Sequence, residues 1–378
     1  DGLTAGLCLH VTAETANLVR ALAAGGADVA LCAANPLSTQ DDVAAALVAE
    51  GVEVHAVHGE DPERFVAHVQ AIAAREPDVT LDDGADLITL LHDTAPKVVE
   101  RLLGATEETT TGLVRLRLME MEGRLGCPVI AVNESRTERA FNDRYGTGQS
   151  TVDGIVRATN VLLAGAVVVV LGYGWTGKGV AQRARGLGAH VVVCEVDPIR
   201  ALEARMEGLE VLPALQAAER GDVFITVTGG RDVLGEPHFR RMKDGALLAN
   251  AGHFDVEIDL AALARLADER REVRPLVEQY DVAGRRLNLL ARGRVVNLAA
   301  AEGHPSAVMD LSFATQALAV EDLVRGGRDL EPRVLPFPEH LDREVARLKL
   351  DALGVEIDTL TAHQADYLTV WSPAPHDG

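Results

Sequence analysis

The sequence predicts an α/β protein with two doubly wound parallel sheets and a helical tail at its carboxyl end. Short apolar runs alternate with helix-like stretches through residues 1–133, and the alternation starts again at residues 167–171. A chain of 378 residues is long enough for two domains. Because strands that alternate with helices form parallel sheets covered on both faces, each block predicts its own sheet.

The first block gives its elements in chain order. Thr12 begins a helix that has Glu14 in its first turn and ends near Gly25. Further helices are predicted after Thr39 and over residues 65–73. The apolar runs that predict strands are residues 7–11, 29–32, 52–57 and 79–81.

Polar residues fall where several of these predicted strands end. In parallel α/β sheets, ligands bind outside the carboxyl ends of the strands. We therefore expect these polar side chains to converge on one binding site. They are His10, Thr12, Asn35 and Asp83.

Composition excludes several classes of partner. Asp and Glu number 57 against 36 Lys and Arg, and the resulting net charge of -21 disfavours nucleic acids and anionic membranes. No apolar run approaches the length of a membrane span. The cysteines and histidines show no metal-ligand spacing. We expect a small-molecule partner, no metal, no nucleic acid or membrane partner, and a cytoplasmic protein with reduced thiols.

The strand-to-helix turn of the second block predicts a dinucleotide site. Directly after the apolar run at residues 167–171 the chain reads GYGWTG, which fits GxGxxG and lets the backbone approach a pyrophosphate at a helix N-terminus. An ordinary tight turn would explain these glycines but not Glu195, which ends the next predicted strand. Its carboxylate would accept the ribose hydroxyls of NAD and repel the extra phosphate of NADP. The predicted NAD-binding residues of this part are Gly172, Gly174, Trp175, Thr176, Gly177, Glu195 and Arg200, although Arg200 is also typical of an exposed helix residue.

Six further motifs make the chain resemble the S-adenosyl-L-homocysteine hydrolase family over nearly its whole length. The chain is similar to the short branch of that family, which lacks an inserted segment in the substrate domain and a tail that carries lysine and tyrosine. The motifs are CLHVT at residues 8–12, Asn35 with STQD at 38–41, LDDG at 81–84, EETTTG at 107–112, GHFDVE at 252–257, and Asn297 with GHPS at 303–306.

The resemblance implies a redox-assisted elimination. A hydride would pass from C3′ of a nucleoside to NAD, and the resulting ketone would acidify the C4′ hydrogen. A base would remove that hydrogen, and the group on C5′ would leave by elimination. Water can add before the ketone is reduced, so NAD is regenerated in each cycle.

Roles for individual residues also follow from the resemblance. Asp83 and His10 would handle the C4′ proton and the group at C5′, while His253 would hydrogen-bond near C5′. Glu108 would hold the ribose hydroxyls. Taken singly, His10 could equally be a packed strand-end histidine, Asp83 a turn former and Thr109 a helix cap. The other implied substrate-binding residues are Thr12, Glu14, Asn35, Asn142, Asp143 and His304, and the other implied NAD contacts are Thr109, Thr110, Thr111, Thr228, Ala251, Gly252 and Asn297.

One motif departs from the family pattern. The family carries a threonine and a lysine, then two variable residues and Phe-Asp-Asn before x-Tyr-Gly, whereas residues 137–146 read TERAFNDRYG. The family lysine, which is implied to contact the ribose hydroxyls and help take the proton at C3′, is replaced by Glu138. The aspartate near it is replaced by Asn142, and the asparagine by Asp143.

Three interpretations of this change stay open. In the first two, Glu138 is the C3′ base, with a pKa raised by a partly apolar pocket; in the first of them the enzyme hydrolyses S-adenosyl-L-homocysteine. In the second, the altered ribose pocket takes another adenine nucleoside and eliminates water from C5′, which makes the enzyme a dehydratase. In the third, the protein binds NAD and a nucleoside without turnover. We favour the second, because two charge changes beside the sugar fit poorly with an unchanged substrate.

The chain is expected to divide into three regions. A substrate-binding domain covers residues 1–133 and is completed by residues 305–340, and a Rossmann NAD-binding domain covers residues 149–303. Glycines at residues 145–150 predict a hinge between them. Residues 341–378 form an oligomerisation tail that, by resemblance, would dock on a neighbouring copy of the chain to give a homotetramer.

Overall fold

The computed structural model describes residues 2–369 and has the predicted α/β architecture. A π-helix, Glu138–Thr147, runs directly into the helix that follows it. The strands are β1 (Leu3–Leu9), β2 (Ala27–Ala33), β3 (Glu53–His55), β4 (Val79–Asp82), β5 (Gly104–Glu107), β6 (Val129–Ala131), β7 (Val167–Leu171), β8 (His190–Cys194), β9 (Glu210–Val211), β10 (Val223–Thr226), β11 (Leu247–Asn250), β12 (Glu269–Arg274), β13 (Val277–Val282), β14 (Arg285–Leu290) and β15 (Val334–Pro336). The helices are α1 (Ala13–Ala24), α2 (Asp41–Ala49), α3 (Pro62–Ala73), α4 (Asp86–Thr94), α5 (Pro96–Val99), α6 (Thr110–Met121), α7 (Gly148–Thr159), α8 (Trp175–Gly186), α9 (Pro198–Met206), α10 (Ala214–Ala218), α11 (Glu236–Phe239), α12 (Leu260–Leu266), α13 (Val296–Ala299), α14 (Ser306–Gly326), α15 (Glu339–Leu353) and α16 (Ala362–Thr369).

The first sheet is parallel throughout, with its strands in the order β15-β6-β5-β4-β1-β2-β3. Its central strands place Leu7, Leu31 and Leu81 side by side, and all three are fully buried. Strands covered on both faces read as continuous apolar runs, which is why the sequence reveals them. Thr12 caps α1 by accepting a hydrogen bond from the N–H of Thr15.

The second sheet is mixed, with its strands in the order β12-β13-β14-β11-β10-β7-β8-β9. The strands from β14 to β9 pair in parallel around the buried valines of β7. At the other edge, β12, β13 and β14 pair in antiparallel fashion. This antiparallel edge cannot be predicted from the sequence, because β12 is exposed along its whole length and carries no apolar pattern.

The chain returns to the first sheet after the second is complete. Strand β15 pairs with β6 at the edge of the first sheet. Helix α14 packs Ala319, Val320 and Leu323 into the same apolar cluster as Leu7 and Leu31. Elements near the carboxyl end thus finish the core that the first residues begin, and the domain boundaries given above stay a prediction.

The predicted hinge at residues 145–150 is helical, where the π-helix continues into α7. Its glycines allow close packing instead: a Cβ added at Gly148 would lie 2.5 Å from the carbonyl carbon of Gly179 on α8. The predicted strand at residues 52–57 is also shorter than expected, and only Glu53–His55 pair.

The tail packs on the first sheet at its start, through Leu341 and the buried Val345, and is exposed further along. Gly354 ends α15 in the left-handed conformation with φ of 66°, and residues 351–368 are all exposed. Residues 370–378 of the predicted tail lie outside the described residues. Within residues 2–369, no helix combines the length and the apolar character that crossing a bilayer requires.

Candidate active site

A cavity of about 1400 Å³ opens where the carboxyl ends of strands from both sheets face each other. The first sheet lines it with residues that follow β1, β4 and β5, and the second with residues that follow β7, β8, β10 and β11. Helix α14 adds Met309, Phe313 and Gln316. Among the described residues, no group of three or more His, Cys, Asp and Glu is arranged to hold a metal ion.

Most residues singled out in the sequence line this cavity. Three do not. Asn35 was expected to converge with them, but its carboxamide accepts a hydrogen bond from the N–H of Leu37 at 2.9 Å and caps a short turn away from the cavity. Gly177 lies beneath the cavity wall, and Glu138 lies behind Glu108, with only 2% of its surface exposed. The residues that line the cavity as expected are His10, Thr12, Glu14, Asp83, Glu108, Thr109, Thr110, Thr111, Asn142, Asp143, Gly172, Gly174, Trp175, Thr176, Glu195, Arg200, Thr228, Ala251, Gly252, His253, Asn297 and His304.

A histidine and a carboxylate face each other at one end of the cavity. Nε2 of His10 lies 3.3 Å from Oδ2 of Asp83, and Nδ1 of His10 lies 2.5 Å from the hydroxyl of Ser38. The ring of His253 is 6.5 Å from that of His10. Burial lowers the pKa of His253, so this ring is neutral at neutral pH. The pair formed by His10 and Asp83 can accept protons from a bound substrate and return them.

Two carboxyls, the half-buried Glu108 and the buried Glu138, lie together beside this pair. Glu108 follows β5, and Glu138 begins the π-helix. The Ser312 hydroxyl donates a hydrogen bond to Oε1 of Glu108 at 2.6 Å. Oε2 of Glu108 and Oε1 of Glu138 have no hydrogen-bond partner in the structure, although both are buried. Buried acceptors without donors are rare, so Oε2 of Glu108, which lines the cavity, is open to a hydroxyl donor of a ligand, whereas Glu138 lies behind it.

Burial and mutual repulsion keep this pair partly protonated. Burial raises the pKa of Glu138 to about 7, while hydrogen bonds with neighbouring polar groups act in the opposite direction. Burial and the charge of Glu138 raise the pKa of Glu108 well above its usual range. Two carboxyls in contact do not both ionise at neutral pH, so the pair holds a proton that it can share.

The two other substituted positions lie on the same π-helix. Nδ2 of Asn142 donates a hydrogen bond to the Ser312 hydroxyl at 2.9 Å and so orients the donor that faces Glu108. Asp143 lines the cavity, and burial raises its pKa to about 7. π-Helices are often found at functional sites, where the extra residue per turn redirects side chains.

His304 forms another buried part of the cavity wall. Its Nε2 lies 2.9 Å from the hydroxyl of Thr147, and burial lowers its pKa to about 4. The ring is therefore neutral at physiological pH and can act as a donor at one nitrogen and an acceptor at the other. Gly146 leaves room for it, since an added Cβ would lie 3.0 Å from the imidazole.

The glycine turn after β7 has the shape that a dinucleotide requires. A Cβ added at Gly177 would lie 2.1 Å from the carbonyl oxygen of Gly172, so only glycine allows α8 to start this close to the strand. Glu195 accepts a hydrogen bond from the N–H of Tyr173 at 2.7 Å, which fixes its carboxylate beside the turn. A Cβ added at Gly174 would find only a guanidinium nitrogen of Arg200, at 3.8 Å. The residues present fit a bound dinucleotide.

Another buried acid supports the three threonines Thr109, Thr110 and Thr111 at the start of α6. Glu107 is fully buried and accepts hydrogen bonds from the N–H and hydroxyl of Thr109 and from the N–H of Gly84. It thus ties the residue after Asp83 to the start of α6. Glu107 belongs to the EETTTG motif, but the sequence predicted no role for it. Ser312 was not predicted as a site residue. The spacing of Met309, Phe313 and Gln316 along one helical face could have drawn attention to α14.

None of the four lysines lines the cavity. Three are paired elsewhere: Lys178 with Glu203 at 2.5 Å, Lys243 with Asp222 at 2.8 Å, and Lys349 with Asp310 at 2.7 Å. Lys97 lies in α5. The ammonium that the family pattern implies at position 138 is therefore not supplied by another lysine of this chain.

The fold and the cavity define a dinucleotide-dependent enzyme. Residues 2–99 match the family model described as S-adenosyl-L-homocysteine hydrolase, and residues 143–303 match the one described as its NAD binding domain. The chain belongs to the S-adenosyl-L-homocysteine hydrolase family, and NAD is its cofactor.

Relatives match this chain over nearly its full length. An adenosylhomocysteinase of Aquifex aeolicus is 58% identical over 96% of this chain and 88% of its own length. An adenosylhomocysteinase of Archaeoglobus fulgidus is 56% identical over 98% of this chain and 92% of its own. An S-inosyl-L-homocysteine hydrolase of Methanopyrus kandleri is 53% identical over 98% of this chain and 88% of its own. Among solved structures, a dipicolinate synthase chain of Bacillus halodurans has a TM-score of 0.54 at 16% identity over 85% of this chain and 98% of its own, which is a likeness of fold alone.

Proposed function

We propose that the protein oxidises C3′ of an adenine nucleoside and eliminates the hydroxyl on C5′ as water, which makes it an NAD-dependent nucleoside dehydratase. The observation that carries this proposal is the pair of the half-buried Glu108 and the buried Glu138, which stands where the family pattern has a lysine beside a carboxylate. A family site that lost its cation would leave a buried carboxylate unpaired, at a cost of about 3 to 5 kcal/mol. An altered sugar that donates its own hydroxyls to the pair is the simplest compensation.

The first step belongs to the carboxyl pair. NAD, held by the residues named below, would supply a hydride acceptor for C3′. The proton of the C3′ hydroxyl passes by way of Glu108, which lines the cavity, to Glu138, whose pKa of about 7 suits a general base at neutral pH. Glu108 holds the neighbouring hydroxyl and shares the proton, while Ser312 and Asn142 keep Glu108 in place.

The second step belongs to His10 and Asp83. The new ketone acidifies the C4′ hydrogen, and the pair removes it as a proton. The C5′ oxygen then takes up a proton and leaves as water, with His253 close by to hydrogen-bond to it. Reduction of the ketone would restore the C3′ alcohol, and the proton held by Glu138 would return to its oxygen. The products are a 4′,5′-unsaturated nucleoside and one water, and the cofactor is unchanged.

The remaining residues bind and orient the two ligands in this proposal. Closure of the cavity around them would keep bulk water away from the ketone. The substrate would be held by Thr12, Glu14, Asn142, Asp143 and His304, and NAD by Thr109, Thr110, Thr111, Gly172, Gly174, Trp175, Thr176, Glu195, Arg200, Thr228, Ala251, Gly252 and Asn297.

Hydrolysis of S-adenosyl-L-homocysteine is the alternative. The identities of 58% and 56% to adenosylhomocysteinases favour it. The same acid-base residues would serve, with a thioether in place of the C5′ hydroxyl and with water adding before the ketone is reduced. The relative from Methanopyrus kandleri is named for an inosyl substrate, so one family member at 53% identity bears the name of a different base.

Product analysis by mass spectrometry separates the two functions. The purified protein would be incubated with S-adenosyl-L-homocysteine and, separately, with free adenine nucleosides that differ in the sugar. We expect a nucleoside product that has lost one water and no homocysteine. Release of homocysteine would instead establish the hydrolase, and no turnover of any compound would contradict both.

A rebuilt pocket tests the role assigned to the substituted residues. The double variant Glu138→Lys with Asn142→Asp restores the family pattern at the ribose. We expect it to lose dehydration and to gain release of homocysteine from S-adenosyl-L-homocysteine. A double variant that keeps the wild-type products would place specificity elsewhere.

We also propose that the protein is a cytoplasmic homotetramer. The support for assembly is the tail, where Val355, Ile357 and Leu360 are 46%, 68% and 61% exposed. Apolar side chains exposed in a row are typical of surfaces that another protomer covers.

A further inference from the structure

The π-helix that carries Glu138 begins on a buried carboxylate from a distant part of the chain. Asp342, on α15, accepts hydrogen bonds from the backbone N–H groups of Arg136 at 2.6 Å and Thr137 at 3.0 Å. The Thr137 hydroxyl donates to the same carboxylate. Asp342 is only 7% exposed, so water competes little for these bonds.

These bonds provide hydrogen-bond acceptors for backbone N–H groups at the start of the π-helix. The first N–H groups of a helix have no partner within it, and the Thr137 side chain caps none of them. A carboxylate at this end is favoured by charge-assisted hydrogen bonds and by the helix dipole. The N–H of Glu138 itself donates to the Ser135 hydroxyl at 2.9 Å. The backbone immediately before and at Glu138 is thus fixed by side chains from outside the helix.

We infer that Asp342 is a positioning residue for the reaction proposed above: its cap holds the Glu138 carboxyl beside Glu108. This inference rests on the proposed function, since the placement of Glu138 matters to catalysis only if Glu138 takes up a proton. Asp342 does not line the cavity, and it therefore does not contact the substrate site.

Asp342 also contributes negative charge near Glu138, and its carboxylate is one cause of the raised pKa of Glu138. Replacing it by a neutral side chain of the same shape should therefore lower the pKa of Glu138. Helix α14 adds the neutral side chains of Ser312 and Gln316, which contact the carboxyl pair. The titratable and charged groups that act on Glu138 or its immediate neighbours are Glu108 after β5, Asp83 after β4, Asp143 and Arg139 on the π-helix, and Asp342 on α15.

The variant Asp342→Asn tests both effects in the full-length protein with its cofactor. The amide can accept one hydrogen bond but turns a donor toward a second N–H, so the cap is weakened. We expect the rate of substrate-dependent cofactor reduction to fall about 10- to 100-fold, since a misplacement of about 1 Å has that effect. We also expect the infrared band of the Glu138 carboxyl, assigned by its loss in Glu138→Gln, to titrate at lower pH than in the wild type.

Two further variants separate charge from hydrogen bonding. Thr137→Val removes one hydrogen bond and leaves the Asp342 charge, so it should slow cofactor reduction without moving the titration of the band. Glu344→Gln removes a carboxylate from the same helix, one that pairs with Arg347 on the surface at 2.6 Å, and should change neither quantity.

The readouts keep the inference and the proposed function distinguishable. The infrared titration needs no substrate, so it reports on Asp342 even if no nucleoside is turned over. A titration and a rate that are both unchanged in Asp342→Asn would overturn the inference. If Asp342→Asn does not fold, an unchanged rate in Thr137→Val would overturn it as well.

Discussion

At position 138 a buried acid stands where the family pattern implies a cation, and the surrounding residues show how the fold accommodates an acid there. Glu108 and Glu138 lie together, and neutral groups, Ser312 and Asn142, fill the space next to them. A proton shared between the two carboxyls avoids a double negative charge in a buried site. The site therefore presents hydrogen-bond acceptors at the position where the family pattern implies a hydrogen-bond donor.

Glu138→Gln should stop the chemistry without removing the cofactor. The amide keeps the size of the side chain but cannot accept the C3′ proton, so we expect cofactor reduction by substrate to fall about 100- to 10,000-fold. NAD content after purification should equal that of the wild type. The control is Glu122→Gln, an exposed carboxylate outside the cavity, which should have no effect. Full reduction in Glu138→Gln would rule out this residue as the base.

The same residue should leave a signature in stability. Burial raises the pKa of Glu138 from 4.5 to about 7, so between these values the folded chain holds a proton that the unfolded chain has lost. The ionised form is the less stable one, and Glu138 therefore lowers stability as pH rises through this window. Buried His304, with its pKa lowered to about 4, acts in the opposite direction, so the wild-type curve alone does not isolate Glu138.

A comparison of variants isolates it. We expect the thermal midpoint of Glu138→Gln, relative to the wild type, to rise between about pH 5 and about pH 8, because the variant lacks the buried charge. Scanning calorimetry across that range measures the difference. A difference that is constant with pH would contradict the raised pKa.

At the scale of elements, the turn between β7 and α8 depends on one close approach. An added Cβ at Gly177 would meet a backbone oxygen, and backbone cannot move aside as a flexible side chain can. Gly177→Ala should therefore open the turn, lower bound NAD at least about tenfold and destabilise the protein by about 1 to 3 kcal/mol. NAD content and thermal unfolding measure the two effects.

The same helix provides a matched control. A Cβ added at Gly186, near the end of α8, meets nothing within 4 Å. Gly186→Ala should leave NAD content unchanged and keep or slightly raise stability, because alanine favours the helix. Equal losses in both alanine variants would contradict the role given to the turn.

Elements differ in how far the sequence reveals them. Buried parallel strands such as β1 and β7 can be predicted because both faces are apolar. The π-helix cannot, because its first turns depend on Asp342, which lies more than 200 residues away in the chain. The same holds for Ser312, which reaches Glu108 across 204 positions. The exchange of lysine for Glu138 is visible in the sequence, whereas the groups that make a buried acid tolerable there are not.

At the scale of the whole molecule, the tail gives a direct test of assembly. Residues 355–368 are exposed and contribute no buried side chain to either sheet. Removing residues 355–378 should leave the thermal midpoint of the remaining chain nearly unchanged at low protein concentration. The mass in solution, measured by light scattering, should fall below that of the full chain. An unchanged mass would place the contacts between protomers elsewhere.

The return of the chain to its first sheet has a consequence for synthesis on the ribosome. Strand β15 and helix α14 emerge only after the whole second sheet has been made. Until then Leu7 and Leu31 lack the neighbours Ala319, Val320 and Leu323. We therefore expect the nascent amino-terminal region to keep an incompletely covered apolar face while the NAD-binding part folds. We expect chaperones that bind nascent chains to engage this half, and to release it once the last strand has been translated.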